Sequence, residues 1–388
     1  MKLLYKNIVV GKYEISRAAV LWVLLTLIAV IAELAHNTIN NYLIFENVFW
    51  HTRHQTNLYA AYPAEYFDLN HYGPVFSVLI APFAVLPIWL GCTLWALANA
   101  FFLLFAIRQL PVPYNKQNLI LYIALIEMMT AIHNVQFNVM LTGWIILSYT
   151  NIRKGNEIWA ALFIVAGTMI KLYGIVGLAF IFFSKDKIQF IGWLIIWGCI
   201  LFMLPMFFSS VHFVIESYKG WYHSLVAKND ENALSVMQDI SVTGMIRKFF
   251  HAHISILPVV IPAGILCSLP LLRFTQYKHT GFQLAYLAMA LISVTIFSTS
   301  AESATYVLAM TGVAIWFVLQ PARNKLVIGL LFFALILTSL STTDLFPAFI
   351  RNNYIKPYSL KALPCFIVWI FLIIQLLTLN FSKILLRR

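Results

Sequence analysis

Charge is scarce in this chain: 10% of its 388 residues are Asp, Glu, Lys or Arg, whereas 61% are apolar. A soluble globular domain carries about 25% charged residues, so the composition excludes that class. The mean hydropathy is +0.83, and the apolar runs approach the length of about 20 residues that a helix needs to cross a bilayer. A transmembrane barrel would show weak alternation along short segments instead. The sequence therefore predicts an all-α polytopic membrane protein.

Cysteines are few, and the familiar cofactor motifs are missing. The four cysteines are widely separated in apolar runs, so they define neither a metal site nor a disulfide framework. The sequence has no Walker loop, no HExxH, no GxGxxG and no Asp-x-Asp pair, which argues against ATP-driven transport and against a cytoplasmic nucleotide-sugar site. We therefore expect no metal ion and no cofactor.

Acidic residues are fewer than basic ones, 14 against 26, which leaves a net charge of +12. The basic residues stand in ones and twos between apolar runs, a distribution typical of anchorage at the cytoplasmic face of a membrane. They form no concentrated patch of the kind that binds nucleic acid. We expect the lipid bilayer as a partner and no nucleic acid.

About twelve membrane crossings follow from the apolar runs. The first is about Ala18 to Ala35; Lys2, Lys6, Lys12 and Arg17 precede it and place the N-terminus inside. Residues 1–35 are interpreted as an uncleaved signal anchor. With both termini cytoplasmic, most basic residues fall inside and most acids outside, as in a multi-pass protein of the plasma (inner) membrane. The remaining crossings are at 88–107, 118–130, 137–149, 158–170, 172–183, 190–208, 254–272, 282–297, 306–319, 326–340 and 365–379.

A single domain over residues 1–388 is expected, with two long outer loops at about 37–87 and 209–253. Within the first loop, residues 73–87 are too short for a crossing and are broken by Pro74, Pro82 and Pro87. This stretch predicts a helix that lies in the membrane interface.

The first outer loop concentrates polar and aromatic side chains. Arg and His can donate hydrogen bonds to a phosphate, aromatic faces can stack on a sugar, and a carboxylate can take a proton. The alternative is an ordinary interfacial loop, where aromatic belts are common. The cluster comprises Glu46, His51, Arg53, His54, Tyr59, Tyr62, Glu65, Tyr66, Asp68, Asn70, His71 and Tyr72.

Polar groups elsewhere fall on the same outer side. Asn134 and Asn138 share a helical face at the mouth of the fourth span, where they could contact a ligand or join helices. Lys171 separates two apolar stretches, so its ammonium is costly unless it snorkels or meets a phosphate. Glu302 lies in the polar turn STSAESATY, which a satisfied turn explains equally well. Glu127 is in mid-span, with no partner nearby in sequence.

Several motifs occur in an order that resembles a known family. They are NLY at 57–59, HYGPVFSVLIAPFAVLP at 71–87, Trp95, the pair Gln136 and Asn138, and AGTMIKLYG at 166–174. Over residues 37–185, this order resembles glycosyltransferase family 87. That family is the polyprenyl-phosphate-mannose-dependent, mannosyltransferase-like group of the C-type glycosyltransferases.

The resemblance implies a C-type bundle of transmembrane helices with its active site outside the cell membrane. It implies a polyprenyl-phosphate-linked sugar donor and a glycan or glycolipid acceptor of the cell envelope. It also implies a catalytic carboxylate in the first outer loop, which would deprotonate the acceptor for an inverting, metal-independent hexosyl or mannosyl transfer.

One departure from the family pattern shifts the expected base. The family's Asp, about eighteen residues before the loop tyrosine Tyr59, falls on Asn41, which cannot act as a base. Either Asp68 or Glu46 has taken that role, with Asp68 favoured because it adjoins the interfacial helix, or the chemistry is altered or lost. Lys171 would contact the donor phosphate. The expected substrate-binding residues are Asn41, Tyr59, His71, Tyr72, Gln136, Asn138, Lys171 and Glu302.

Two other functions fit parts of the pattern. A transporter or flippase of a lipid-linked saccharide would share the lipid-phosphate site, but such proteins often show repeated halves and helices interrupted at mid-membrane. A polymerase or ligase of envelope polysaccharides would favour a larger outer loop rich in Arg and His. The gathering of polar groups on the outer face favours the glycosyltransferase.

Overall fold

The computed structural model describes residues 7–10, 13–232, 235, 237–251 and 254–383. Two short strands, β1 (Asn7–Val10) and β2 (Tyr13–Ser16), pair antiparallel with Asn7 opposite Ser16. The rest of the described chain is mostly helical, as predicted. Lys2, Lys6 and Lys12, which oriented the predicted topology, lie outside the described residues.

Sixteen α-helices are assigned within the described residues. Shorter 3-10 segments extend or join them, notably Leu172–Phe183, Leu204–Phe207 and Leu269–Leu272, and π-helical turns cover Ala334–Leu340 and Arg351–Ile355. The helices are α1 (Arg17–His36), α2 (Asn40–His54), α3 (Phe76–Ala84), α4 (Ile88–Arg108), α5 (Tyr114–His133), α6 (Asn138–Lys154), α7 (Glu157–Ile170), α8 (Lys187–Met203), α9 (Val211–Asn232), α10 (Val242–Phe250), α11 (Leu257–Ser268), α12 (Thr280–Ile296), α13 (Tyr306–Leu319), α14 (Lys325–Phe333), α15 (Ala348–Ile350) and α16 (Ala362–Thr378).

Within the described part of the chain, three helical segments are long and apolar enough to cross a membrane: Arg17–His36, Ile88–Arg108 and Lys187–Phe207. The first and third turn large apolar side chains such as Ile31 and Ile195 outward, which a bilayer tolerates and water does not. Further apolar helices of shorter length coincide with most of the other predicted crossings. The protein is therefore a helical membrane protein, and the number of crossings stays a prediction.

The chain divides into two compact units. One comprises Trp22–Ala106 and Ala131–Asp230. In it, α6 packs against α7 and the 3-10 helix Leu172–Phe183, and α2 packs on α3. Helix α6 is buried on nearly every side, as expected for an apolar helix inside a bundle.

Helix α2 occupies a stretch that the sequence analysis treated as loop. Its buried side chains include Tyr42, Phe45, Phe49 and Thr52, spaced three or four residues apart. This spacing places them on one helical face. The Phe45 ring lies 5.0 Å from the rings of both Tyr72 and Phe76. Part of the predicted first outer loop is therefore folded structure with its own aromatic core.

The other unit comprises Met1–Leu21, Ile107–Thr130 and Glu231–Arg388. Helices α12 and α13 pack along each other, and α16 packs on α12. Gly312 allows the close approach of α13 to α12, because a Cβ there would lie 2.7 Å from the Ala288 carbonyl oxygen.

Glu127, for which the sequence showed no local partner, is paired within this second unit. Lys361 Nζ lies 2.9 Å from Glu127 Oε1 and 3.1 Å from Oε2. Both side chains are almost fully buried. The partner is 234 positions away along the chain, so no local pattern could reveal it.

Candidate active site

The site begins where α7 ends, at Lys171. Lys171 has extended backbone angles, φ −146° and ψ 114°, and this break exposes the Ile170 carbonyl. The Gly73 amide donates to that carbonyl oxygen over 3.0 Å. A Cβ at Gly73 would lie 1.8 Å from the Met169 carbonyl oxygen, so only glycine fits. This hydrogen bond holds the loop that carries His71 and Tyr72 against the C-terminal end of α7.

Small residues allow the chain to fold back sharply around Lys171. A Cβ on Gly174 would lie 2.4 Å from the Gly167 carbonyl carbon. The 3-10 helix therefore starts against the last turn of α7. This contact explains the spacing of small residues in the AGTMIKLYG motif.

An amide and two aromatic rings lie beside the Lys171 ammonium. Lys171 Nζ donates to Asn138 Oδ1 at 2.8 Å and lies 5.6 Å and 5.4 Å from the ring centroids of Tyr72 and Tyr173. Such distances allow cation–π attraction. The Asn138 side chain is buried and its Nδ2 has no hydrogen-bond partner in the described structure. A donor so placed, next to an ammonium, suits an anionic ligand.

The segment from His133 to Asn138 connects the loop residues to this ammonium. Tyr72 donates its hydroxyl to Gln136 Oε1 at 2.8 Å, and Tyr59 donates to the Tyr72 carbonyl oxygen at 3.0 Å. Asn41 Nδ2 donates to the Asn134 carbonyl oxygen at 2.7 Å. The amide at position 41 therefore has a positioning contact at this segment.

His71 is held neutral at the edge of the same cluster. Its pKa is lowered to about 4; burial is the largest cause, Lys228 and Lys171 also lower the pKa, and Asp68 opposes them. Its Nδ1 lies 2.8 Å from Ser224 Oγ. Because that hydroxyl also donates to the Asn70 carbonyl oxygen at 3.3 Å, we assign the ring proton to Nδ1.

This assignment leaves the lone pair on His71 Nε2. The Nε2 atom is buried and has no hydrogen-bond partner within the described residues. Such a nitrogen can accept a hydrogen bond from a ligand hydroxyl. Buried polar atoms are rarely left unpaired. The orphaned Nε2 and the orphaned Asn138 Nδ2 therefore both point to a polar ligand in this part of the molecule.

The two predicted bases have different environments. Asp68 is exposed, with a left-handed φ of 73°, and its Oδ1 accepts from the Leu69 amide at 2.8 Å. Lys228 Nζ is 3.9 Å from the same oxygen. Glu46 is half-buried on α2, where burial raises the pKa of its carboxyl and a hydrogen bond with Trp50 opposes the shift. Of the two carboxylates, Asp68 is the one that acts on His71, and Asp68 and His71 both have Lys228 as a neighbour.

Glu302 lies in the other compact unit. Its side chain and that of Thr305 form a capping box at the start of a short 3-10 helix. This is the satisfied polar turn that the sequence analysis kept as the alternative. Within the described part of the chain, no three His, Cys, Asp or Glu side chains are grouped so that they could hold a metal ion.

Sequence reasoning missed the contribution of α9. Trp221 Nε1 donates to the His71 carbonyl oxygen at 2.9 Å, and Ser224 and Lys228 follow on the same face of the helix. The signal was their spacing of three and seven residues, which is typical of one helical face. That spacing was hidden in a stretch treated as loop.

The buried polar groups around Lys171 are set among the apolar helices of a membrane protein, and this arrangement can bind a polar, anionic ligand. The model of glycosyltransferase family 87 matches residues 70–299. The chain therefore belongs to glycosyltransferase family 87 and is a membrane glycosyltransferase, as the sequence analysis predicted. No curated protein matches the chain. The matched region includes His71, Lys171 and Lys228.

Proposed function

We propose that this protein transfers a hexosyl group, such as mannosyl, from a polyprenyl-phosphate donor to a glycan or glycolipid of the cell envelope. The observation that carries the proposal is the Lys171 ammonium. It stands at a break in an apolar helix and is bound to the neutral Asn138 amide between the rings of Tyr72 and Tyr173. A cation in an apolar setting suits a lipid-linked phosphate.

The surrounding groups suit the other parts of such a donor. Asn138 Nδ2 can donate to a second phosphate oxygen, and His71 Nε2 can accept from a sugar hydroxyl. The faces of Tyr72 and Tyr173 can stack on a sugar ring. Gln136 holds the Tyr72 hydroxyl and so fixes the orientation of that ring. The prenyl tail would remain in the lipid.

Asp68 is the proposed general base. Its carboxylate takes the proton of the acceptor hydroxyl, and the acceptor oxygen attacks the anomeric carbon on the face opposite the phosphate. The bond from that carbon to the phosphate oxygen breaks, and its electron pair leaves with polyprenyl phosphate. One displacement of this kind inverts the anomeric configuration and requires no metal ion. Glu46 is the second candidate for the base.

We place this site on the outer side of the plasma membrane, in a chain with about twelve crossings and cytoplasmic termini. The distribution of basic residues between apolar runs supports that orientation. A lipid-linked donor is reached from within the bilayer, and an envelope acceptor lies outside it.

Transfer by the purified protein in detergent tests the proposal. With labelled polyprenyl-phosphate sugar and an envelope acceptor, Asp68→Asn should lower the rate by about 100- to 10,000-fold, the usual contribution of a general base. Glu46→Gln is assayed beside it, and the exposed Glu216→Gln is the matched control. Normal transfer in both Asp68→Asn and Glu46→Gln would remove the proposed bases.

The same assay separates the enzyme from the transporter. A flippase moves lipid-linked saccharide between leaflets, so it produces no covalent product in detergent, where there is no compartment to cross. Labelled acceptor formed in detergent supports transfer. Movement of the donor across vesicle membranes without a labelled acceptor would support transport instead.

A further inference from the structure

Helix α9 presents a row of side chains to the loop that carries Asp68 and His71. Trp221 contacts the His71 carbonyl oxygen, Ser224 contacts the His71 ring, and Lys228 contacts Asp68. The order along α9 runs opposite to the order along the loop. Three successive turns of α9 therefore contact the loop segment from Asp68 to His71, and Lys228 lies beside the proposed base with 16% of its side chain exposed.

Lys228 and Asp68 attract each other without a hydrogen bond between them. Their separation of 3.9 Å exceeds the length of about 2.7–2.9 Å that a charge-assisted hydrogen bond has. The Leu69 amide already donates to the same Asp68 oxygen. The ammonium can consequently turn away from Asp68 without breaking a hydrogen bond to it.

Two ammonium groups act on one histidine ring. Lys228 and Lys171 both lower the pKa of His71, and of the two the effect of Lys228 is the larger. His71 thus lies within electrostatic range of both cations, while Lys171 is held by Asn138 and Lys228 faces the loop. A ligand that reaches the orphaned His71 Nε2 also comes within range of both lysines.

The chemistry of the proposed reaction requires more positive charge as it proceeds. A sugar-phosphate diester carries one negative charge, whereas a phosphate monoester carries about −1.5 to −2 at neutral pH. Cleavage of the bond between the sugar and the phosphate therefore adds negative charge to the leaving group. Lys171 matches the charge of the diester, and a second cation is needed as the monoester forms.

We propose that Lys228 is this second cation, shared between the base and the leaving group. In the empty protein it pairs with Asp68. As the donor reacts, it turns to the phosphate, which receives the electron pair of the broken bond. Asp68, freed of its counter-ion, takes the acceptor proton while the acceptor oxygen bonds to the anomeric carbon. This role rests on the proposed function and assigns to Lys228, on α9, the stabilisation of the leaving phosphate.

Substitution of Lys228 tests this role, with Lys219 as the control. Lys219 is an exposed lysine on the same helix, bonded to Glu216. Lys228→Met should lower kcat by about 30-fold or more, because the added charge develops only after the ground state. The donor KM should change by less than about threefold. Lys228→Arg should recover part of the rate, and Lys219→Met should match the wild type.

Binding of polyprenyl phosphate without a sugar provides a second readout. This monoester is the product, so its affinity should fall by about tenfold or more in Lys228→Met, while the affinity for the diester donor falls by less than about threefold. If Lys228 had only a structural role, Lys228→Met would lose affinity for both ligands to the same extent and would have a lower melting temperature.

The failures are distinguishable. If the wild type transfers sugar and Lys228→Met keeps a normal kcat and a normal affinity for the product, the role of Lys228 is overturned and the proposed function stands. An equal loss of affinity for the donor and for the product in Lys228→Met also overturns the role of Lys228. A wild-type protein that neither transfers sugar nor binds polyprenyl phosphate would overturn both proposals.

Discussion

Each compact unit holds a lysine near an aromatic ring, and the two lysines are bound differently. Lys361 lies 5.1 Å from the Tyr306 ring centroid and bonds to the Glu127 carboxylate. Lys171 lies at similar distances from Tyr72 and Tyr173 but bonds to a neutral amide oxygen. The Lys361 ammonium is thus hydrogen-bonded to a carboxylate, and the Lys171 ammonium is hydrogen-bonded to the amide of Asn138.

This difference separates a structural lysine from a ligand-binding one. A buried ion pair has each charge compensated, and removal of one partner exposes the full desolvation cost of the other. An ammonium held by an amide and two rings keeps attraction for an incoming anion. We therefore expect Lys361 to matter for stability and Lys171 to matter for activity.

The largest effect is expected at Lys361. Lys361→Met leaves the buried Glu127 carboxylate without its partner and should destabilise the protein by about 3–5 kcal/mol. Thermal and denaturant unfolding in detergent would measure the loss. The double variant Lys361→Met with Glu127→Leu removes both charges and should regain most of the stability. A Lys361→Met variant as stable as the wild type would show that the pair carries no structural role.

Lys171 should show the reverse behaviour. Lys171→Met removes a charge-assisted hydrogen bond worth about 1.5–3 kcal/mol but should lower transfer by about 100-fold or more, because it removes the charge that meets the phosphate. Lys171→Arg keeps the charge and should recover part of the activity. Transfer rates and melting temperatures are measured on the same preparations. An active Lys171→Met with a large fall in melting temperature would reverse the comparison.

Much of the helical framework could be predicted because lipid imposes it. The predicted crossings at 172–183 and 306–319 have the same bounds as the helical segments Leu172–Phe183 and Tyr306–Leu319. Apolar runs of this kind are visible in any window of the sequence. Membrane character and family were confirmed for the same reason: their signals are local.

The amphipathic helices could not be predicted in this way. Helices α2 and α9 contain many polar residues, so they resembled loops in a chain where other helices are almost wholly apolar. Their buried faces are seen only when the partner is known, as with Phe45 against Tyr72. The periodicity was present, but the contrast with the neighbouring spans concealed it.

Contacts between distant residues explain the remaining gaps. Lys171 and Asn138 were both chosen from the sequence, and the structure joins them by a hydrogen bond. Lys228 was overlooked because its partner Asp68 is 160 positions earlier and nothing near it in the sequence marks that contact. We favour Asp68 over Glu46 as the proposed base because Asp68 shares its neighbour Lys228 with His71.

The smallest predicted effect is the pH dependence of stability that His71, a neighbour of Lys171, gives to the protein. The folded protein holds its pKa at about 4, whereas an ordinary histidine has 6.5, so between these values the unfolded chain binds more protons. Stability from this group is thus complete above pH 6.5 and is lost as the pH falls toward 4. Because the ring is partly exposed, we expect a loss of about 1–2 kcal/mol at pH 4.5. Burial is the largest cause of this low pKa; among the charged neighbours, Lys228 and Lys171 add to the shift and Asp68 opposes it. Melting curves at pH 7 and pH 4.5 should show a shallower decline for His71→Gln than for the wild type. Equal declines would mean that folding does not lower the pKa of His71.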